Sequence, residues 1–172
     1  AKRLGVWEQF RQLVEGNRKP VLSLKFLVAQ ISGDPDHALG KKIGEALNRH
    51  KSLKILSASE FIGEDLDNSP AQRFAQATAE ARAWLMREDA HLLIWGEVND
   101  TGSAVTLRFI SHPREDEAPG AFYVSDRLCL PIATITEYWP LLLATALGAT
   151  VPRTELERGI QRSLVVPAFE AV

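Results

Sequence analysis

The stretch that decides the fold runs from Phe26 to Leu47 and reads FLVAQISGDPDHALGKKIGEAL. Its first six residues are almost all apolar, which is typical of a strand that is buried on both faces of a sheet. The turn SGDPD follows, and after it Leu39, Ile43 and Leu47 recur at the spacing of one helix face. The pattern predicts a strand that feeds an amphipathic helix, and therefore a βα unit at the centre of an α/β sheet.

Length and composition are those of an ordinary globular chain. The 172 residues are 45% hydrophobic and 24% charged, which suits one domain with its own core. The formal net charge of -2 gives no basic footprint, so nucleic acid is not expected among the partners. A single cysteine, Cys129, excludes an intrachain disulfide, and its apolar neighbours Leu128 and Leu130 predict that it is a small core residue.

No membrane span is expected within these residues. The most apolar window, Tyr138–Val151, is shorter than the ~20 residues that a spanning helix needs. Because the sequence begins at Ala1 without a methionine, we expect a processed or excised fragment of a longer protein, with room for an upstream membrane anchor. A single cysteine is compatible with a cytoplasmic protein and with a periplasmic domain that has no disulfide, so the cysteine count does not determine the cellular compartment.

Helix and strand patterns alternate along the rest of the chain. They predict, in order, a helix at Leu4–Glu15, a strand at Leu22–Ile31, a helix from Asp34 or Asp36 to His50, a strand at Leu53–Leu56, a helix from Ser69, strands at His91–Val98, Val105–Phe109 and Phe122–Leu130, and two final helices. Because strand–helix–strand crossovers are right-handed, the first three strands should be parallel, and the turn at Asn99–Gly102 should add an antiparallel hairpin at one edge. We therefore predict a three-layer α/β domain with a mixed sheet of about five strands and flanking helices.

Capping side chains and prolines mark where three of these helices begin or end. Side chains that can accept a hydrogen bond from the first helical turn are Ser69 with Gln72, Thr136, and Thr154 with Glu157. Pro167 is expected to end the last helix. Residues 1–150 are predicted to form the α/β domain, and residues 151–172 a peripheral helix and tail or the start of a downstream helical repeat.

Two segments together resemble a known domain. One is VAQISGDPD at Val28–Asp36 with its helix and the strand at Leu53–Leu56, and the other is AHLLIWGEV at Ala90–Val98, followed by Gly102 and VTLRF at Val105–Phe109. In this order of elements, residues 26–109 resemble the amino-terminal domain of TolB and similar domains that precede tetratricopeptide repeats in bacterial proteins. The resemblance implies a non-enzymatic protein-interaction module with no catalytic residues.

Polar side chains follow the ends of all three predicted parallel strands, where α/β sheets bind ligands. They are Asp34, Asp36, His37, Ser57, Ser59, Glu60, Glu97 and Asn99. Carboxylates on separate loops suit a divalent cation, so this edge carries the alternative function, a small-ligand or nucleotide-binding domain or a metal-dependent hydrolase. A structural explanation competes with it, because Asp34 can cap the helix, Asp36 can complement its positive end, and Glu97 can face water.

No catalytic sequence motif accompanies that edge. A phosphate-binding loop needs several glycines, and this turn offers only Gly33. No Gly-x-Ser-x-Gly elbow is present, Cys129 has no polar activator nearby, and no His or Cys pair has the spacing of a zinc site. We therefore expect no enzyme activity, no metal and no cofactor.

Aromatic residues on the terminal helices form the candidate interaction surface: Trp7, Phe10, Tyr138 and Trp139. Such side chains either pack in the core or bind a partner as hot spots. Trp84 and Trp95 fall on buried patterns instead and should belong to the core. The favoured function is a protein-interaction or sensory module of a larger bacterial protein. Its partner would be another protein, downstream repeats of the same chain, or a second copy.

Overall fold

The computed structural model describes residues 23–63, 69–111 and 127–171, and it confirms the predicted α/β class. The strands are β1 (Leu24–Ser32), β2 (Leu53–Ser57), β3 (Leu92–Val98), β4 (Ala104–Ser111) and β5 (Arg127–Pro131). The helices are α1 (Ala38–Leu47), α2 (Pro70–Glu88), α3 (Trp139–Ala149) and α4 (Glu155–Glu170). The predicted helix at Leu4–Glu15 lies outside the described residues, and so does the first part of the predicted fifth strand.

The sheet has five strands in the order β2-β1-β3-β4-β5. β1 pairs in parallel with both β2 and β3, while β3 with β4 and β4 with β5 are antiparallel. The predicted trio of parallel strands with an antiparallel hairpin at one edge is therefore confirmed. Its central strands are the apolar runs of β1 and β3, because only a strand that is covered on both faces can bury such runs completely.

Side chains that alternate along the strands build one core on each face of the sheet. Phe26 and Leu107 point to the face that is covered by α1, α3 and α4. Leu93 and Trp95 point to the other face and pack with Trp84 of α2. Trp84 and Trp95 are only 5% and 4% exposed, so both are core residues as predicted. The result is three layers, with helices on both sides of the sheet.

Local hydrogen bonds set most helix starts. The hydroxyls of Ser69 and Thr154 accept from the backbone N–H groups of Gln72 and Glu157, which confirms both capping boxes. Helix α1, in contrast, starts later than either predicted aspartate. His37 precedes it in a left-handed conformation, with φ 51°, and such a residue cannot continue a helix. This helix also ends at Leu47 rather than His50, because the next residues form the turn into β2.

The prediction for the carboxyl-terminal helices was wrong at two positions. Thr136 does not cap α3 but lies inside a 3₁₀ turn at Ile135–Tyr138, and α3 begins at Trp139 because Pro140 suits a first helical turn. Pro167 lies inside α4 and does not end it. The carbonyl group that loses its helical partner belongs to Ser163, which is exposed and can bond to water. No helix within the described ranges has both the length and the apolar character to cross a bilayer.

Cys129 is exposed, contrary to the prediction of a core position. It belongs to β5, the last strand of the sheet, where side chains alternate between the two faces. Leu128 and Leu130 take the face that packs on the core, so Cys129 must take the other face. The run of three apolar residues was therefore interpreted wrongly as buried on both sides.

Candidate functional site

The turn after β1 narrows the crevice between the carboxyl ends of β1 and β3. The helices α1 and α2 lie on opposite faces of the sheet beside these strands. A crevice of this kind is where α/β sheets ordinarily bind ligands. Gly33 follows β1 in a left-handed conformation, with φ 74°, and packs directly on the end of β3. A β-carbon at Gly33 would lie 3.3 Å from the carbonyl oxygen of Val98. The turn after β1 thus contacts the end of β3 directly and narrows the space between the two strand ends.

Three of the predicted edge residues take part in local structure. Oδ2 of Asp34 accepts a hydrogen bond of 2.7 Å from the backbone N–H of Leu39, so it caps the first turn of α1. Oδ1 of Asn99 accepts from two backbone N–H groups of the β3–β4 turn, at 2.9 and 3.1 Å. Glu97 is exposed and lies 4.0 Å from the guanidinium of Arg108. These contacts favour the structural explanation for all three residues.

Two other predicted residues, His37 and Ser57, line a cleft of about 380 Å³ between α1 and the carboxyl ends of β1 and β2. We call it the α1 cleft. Its lining is mixed, and it includes Lys41 and Glu45 of α1, whose charged groups lie 3.9 Å apart. The ring of His37 lies 5.8 Å from that of Phe61, which follows β2. This space is open at the carboxyl ends of β1 and β2.

A second cleft, of about 290 Å³, lies on the opposite face of β2, beside α2. We call it the α2 cleft. Ser59 and Glu60 line it together with Trp84, and Ser57 borders both clefts. Asp36 is exposed and lines neither cleft. The structure therefore divides the predicted edge between two clefts, and the described part of the chain contains no cluster of three or more His, Cys, Asp or Glu side chains that could hold a metal.

A third space, the apolar groove, has a volume of about 230 Å³ and lies among the ends of α1, α3 and α4. Its apolar walls include Ala46, Leu47, Trp139, Leu143, Leu164 and Pro167. Trp139 and Tyr138 are half-buried and pack against the core. Of the predicted interaction surface, the structure thus places Trp139 at an open groove, while Trp7 and Phe10 lie outside the described residues.

A polar network at the other end of the sheet was missed in the sequence. His91, which is 7% exposed, precedes β3 and accepts a hydrogen bond of 3.0 Å at Nδ1 from the backbone N–H of Lys25. Its Nε2 lies 2.9 Å from Oε1 of Glu157 in α4. Because Nδ1 accepts, the proton of the neutral ring belongs on Nε2, which donates it to the carboxylate. His91 thereby joins β1, β3 and α4.

The same network fastens the start of α4 to the end of α2. The guanidinium of Arg153 donates to Oδ1 of Asp89 at 2.6 Å and to the carbonyl oxygen of Ala90 at 2.8 Å. Oε2 of Glu157 accepts from the backbone N–H groups of Arg153 and Thr154, at 2.6 and 3.2 Å. Glu157 was identified in the sequence only as a capping residue, because nothing local reveals a partner 66 residues away.

Hydrogen bonds and positive charge lower the pKa values of two carboxylates in the network. Burial raises the pKa of Glu157, but the hydrogen bond from His91, the backbone hydrogen bonds from Arg153 and Thr154, and the positive charge of His91 when its ring is protonated together outweigh it. The pKa of Glu157 is therefore lowered. The hydrogen bond and the positive charge of Arg153 likewise lower the pKa of Asp89. Both carboxylates are ionised at neutral pH.

Replacing Glu157 by glutamine should lower the free energy of unfolding by about 1–3 kcal/mol near neutral pH, because an amide cannot accept at both oxygen positions. A lowered folded-state pKa gives stability that is complete above the unfolded value of ~4.3 and is lost as the pH falls through the folded value. The difference between wild type and Glu157→Gln should therefore shrink in acid, as measured by urea denaturation at several pH values.

The matched control is Glu155→Gln, in the same helical turn but with its side chain 81% exposed. It should change the free energy of unfolding by no more than about 0.5 kcal/mol. A Glu157→Gln deficit that is as large in acid as at neutral pH would show that the charge of Glu157 is not what stabilises this contact.

Comparison with known proteins gives a distant similarity of fold. No protein-family model matches the chain, and no curated protein matches its sequence. Among solved structures, the chain is similar to TolB from Acinetobacter baumannii, with 11% sequence identity and a TM-score of 0.43. The match covers 74% of this chain and 28% of the TolB chain, so this chain corresponds to less than a third of that protein.

Proposed function

We propose that this chain is a non-catalytic protein-interaction module that binds an amphipathic helix in the apolar groove. The observation that carries the proposal is the apolar groove itself. It is an open apolar space, and the aromatic side chain of Trp139 forms part of its wall. Concave apolar sites with an aromatic wall are where binding energy concentrates in protein interfaces. A helix laid in a groove is a common form of such recognition.

Helices α3 and α4 form an antiparallel hairpin that supports two walls of the groove. The side chain of Gln161 in α4 donates to the carbonyl oxygens of Leu147 and Thr150 at the end of α3, which holds the two helices together near their connection. The groove lies at the other end of the hairpin, between Trp139 and Pro167. Its walls are therefore preformed, which reduces the entropy lost on binding.

Charge at the groove defines the chemistry of the partner. Arg49 and His50 border the groove and follow the end of α1. Within the described residues, neither side chain forms a salt bridge with a carboxylate. The partner helix should therefore carry a large apolar anchor for the groove and a carboxylate beside it for Arg49. A helical repeat of a larger bacterial protein, as the sequence resemblance leads us to expect, would supply such a helix.

The alternative, a small-ligand or nucleotide-binding domain, has weaker support. Ligands of such domains ordinarily bind in the crevice between neighbouring parallel strands whose connections run in opposite directions, here β1 and β3, and the open α1 cleft lies to one side of it, at β2. Gly33 packs against Val98 at that crevice, and the carboxylate of Asp34 accepts a hydrogen bond from the backbone of α1. We therefore favour the interaction module.

A groove-filling substitution tests the proposal. Ala171 is exposed and lines the groove, so Ala171→Trp should block it without removing a core side chain. The probe is a fluorescein-labelled amphipathic peptide with leucines on one helical stripe and glutamates beside it. In a polarisation titration, Ala171→Trp should weaken binding about 30-fold, the equivalent of a 2 kcal/mol hot spot. Arg49→Glu should weaken it about fivefold, as for an ion pair of ~1 kcal/mol.

Ser163→Trp is the matched control, because Ser163 is exposed on α4 and does not line the groove. It should leave the affinity unchanged. A peptide with lysines in place of the glutamates should bind wild type less tightly and the Arg49→Glu variant more tightly. Equal binding to wild type and Ala171→Trp, or no saturable binding of the acidic peptide, would refute the groove as the docking surface.

A further inference from the structure

We infer that the outer edge of β2 is a second binding site, independent of the apolar groove, and that it takes an extended peptide as an added strand. In the described part of the chain β2 is the terminal strand of the sheet and pairs only with β1. A terminal strand offers a row of backbone groups to any chain that can lie beside it. Proteins use this form of recognition widely, with main-chain hydrogen bonds for affinity and flanking pockets for specificity.

The register shows which backbone groups are available. The carbonyl oxygen of Ser52 accepts from β1, and the N–H of Ala58 donates to β1. The N–H and C=O groups of one residue point to the same side of a strand, and successive residues alternate between the two sides. The backbone groups of Lys54 and Leu56 therefore also point toward β1. Ile55 and Ser57 therefore face outward. No described residue bonds to their backbone groups, and Ser57 is exposed.

The α1 and α2 clefts supply pockets on both faces of this edge. Ser57 borders both, while Ile55 lines the first and Leu56 the second. The side chains of an added strand alternate between the two faces of the sheet, so successive residues would enter one cleft and then the other. Two open clefts flanking one strand are the arrangement that such a peptide needs.

Charge at the two ends of β2 sets the direction and chemistry of the peptide. Lys51 and Lys54 are exposed at the amino end, whereas Glu60 is exposed after the carboxyl end and lines the α2 cleft. The other charged groups that line the clefts form two ion pairs, Lys41 with Glu45 and Arg87 with Glu88. An antiparallel peptide, which pairs slightly more stably per residue than a parallel one, would place its first residues near Glu60. We therefore assign a peptide with basic residues first, β-branched residues in the middle and acidic residues last.

The test is amide hydrogen exchange by nuclear magnetic resonance on the full chain, with the synthetic peptide RKVTVTED as the probe. At a peptide concentration about ten times the dissociation constant, exchange at the Ile55 and Ser57 amides should slow about tenfold. The Lys54 and Leu56 amides already bond to β1, so they should exchange slowly even without the peptide. The charge-reversed peptide DEVTVTKR should bind at least about tenfold more weakly, a difference of 1.4 kcal/mol.

Backbone N-methylation of the peptide provides the matched control. One probe is methylated at both valines and the other at both threonines, so only one of them carries methyl groups on the side that faces β2. One of the two methylated probes should therefore no longer slow exchange at the Ile55 and Ser57 amides, and the other should still slow it. Absence of protection with the parent peptide at millimolar concentration, or equal effects of both methylated probes, overturns the inference. Exchange at these amides that slows with protein concentration alone would assign the edge to a second copy of the chain and also overturn it.

Discussion

Replacing Trp95 by alanine is expected to lower the free energy of unfolding by about 3–5 kcal/mol, which is a large part of the stability of an ordinary domain. Trp95 is 4% exposed on β3, the middle strand of the sheet, and it packs in the core cluster that includes Trp84 and Leu93. α2 covers this face, so the cavity left behind would be lined by residues that cannot all move inward. Urea denaturation monitored by circular dichroism should show the midpoint shift at an unchanged slope.

Trp95→Phe separates the packing of the ring from its polar group. Nε1 of Trp95 is buried and has no hydrogen-bond partner in the described part of the chain. An unpartnered buried N–H destabilises by about 1–3 kcal/mol, and phenylalanine removes it. The smaller ring loses some packing, so the two effects oppose each other and the net loss should stay below about 1.5 kcal/mol. A midpoint that is unchanged in Trp95→Ala would show that β3 is not central to the fold.

The sequence was most informative where structure depends on neighbouring residues. The capping boxes at Ser69 and Thr154 use contacts between residues three apart, and the apolar runs of β1 and β3 show burial directly. Local patterns of this kind predicted the element order and, through the handedness of crossovers, the three parallel strands. They failed at Thr136, because Pro140 favours a later start of α3, and at Pro167, which α4 accommodates because the carbonyl group of Ser163 is free to bond to water.

The candidate site was predicted less well because it depends on contacts between distant segments. That the carboxyl ends of three strands meet at one edge follows from topology alone. How wide that edge is between β1 and β3 depends on how closely Gly33 approaches Val98, and no local pattern contains this distance. The division of the edge into two clefts and the contact between His91 and Glu157 likewise arise only after the helices have packed on the sheet.

Gly96, in the Gly-Glu-Val sequence at the end of β3, is a further position whose role depends on a contact with a distant segment. Substituting it should have a large effect on stability. Gly96 pairs with Leu107 of β4, and a β-carbon at Gly96 would fall inside contact distance of the carbonyl oxygen of Thr106. It would also lie 3.1 Å from the α-carbon of Leu107. These are backbone atoms, so no side-chain rotation can relieve the overlap, and β3 cannot move because β1 holds it on its other side.

Gly96→Ala should therefore lower the free energy of unfolding by about 3 kcal/mol, at the upper end of the usual range for overpacking. β4 must shift, and Leu107, which is fully buried, shifts with it. Gly159→Ala is the matched control, since a β-carbon at Gly159 of α4 meets nothing within 4 Å. The same change there should raise stability by about 0.5–1 kcal/mol, because alanine is the better helix former. In urea denaturation, the same change from glycine to alanine should therefore lower the free energy of unfolding at position 96 and raise it at position 159. Equal effects at the two positions would mean that the close approach of β4 to Gly96 does not exist in solution.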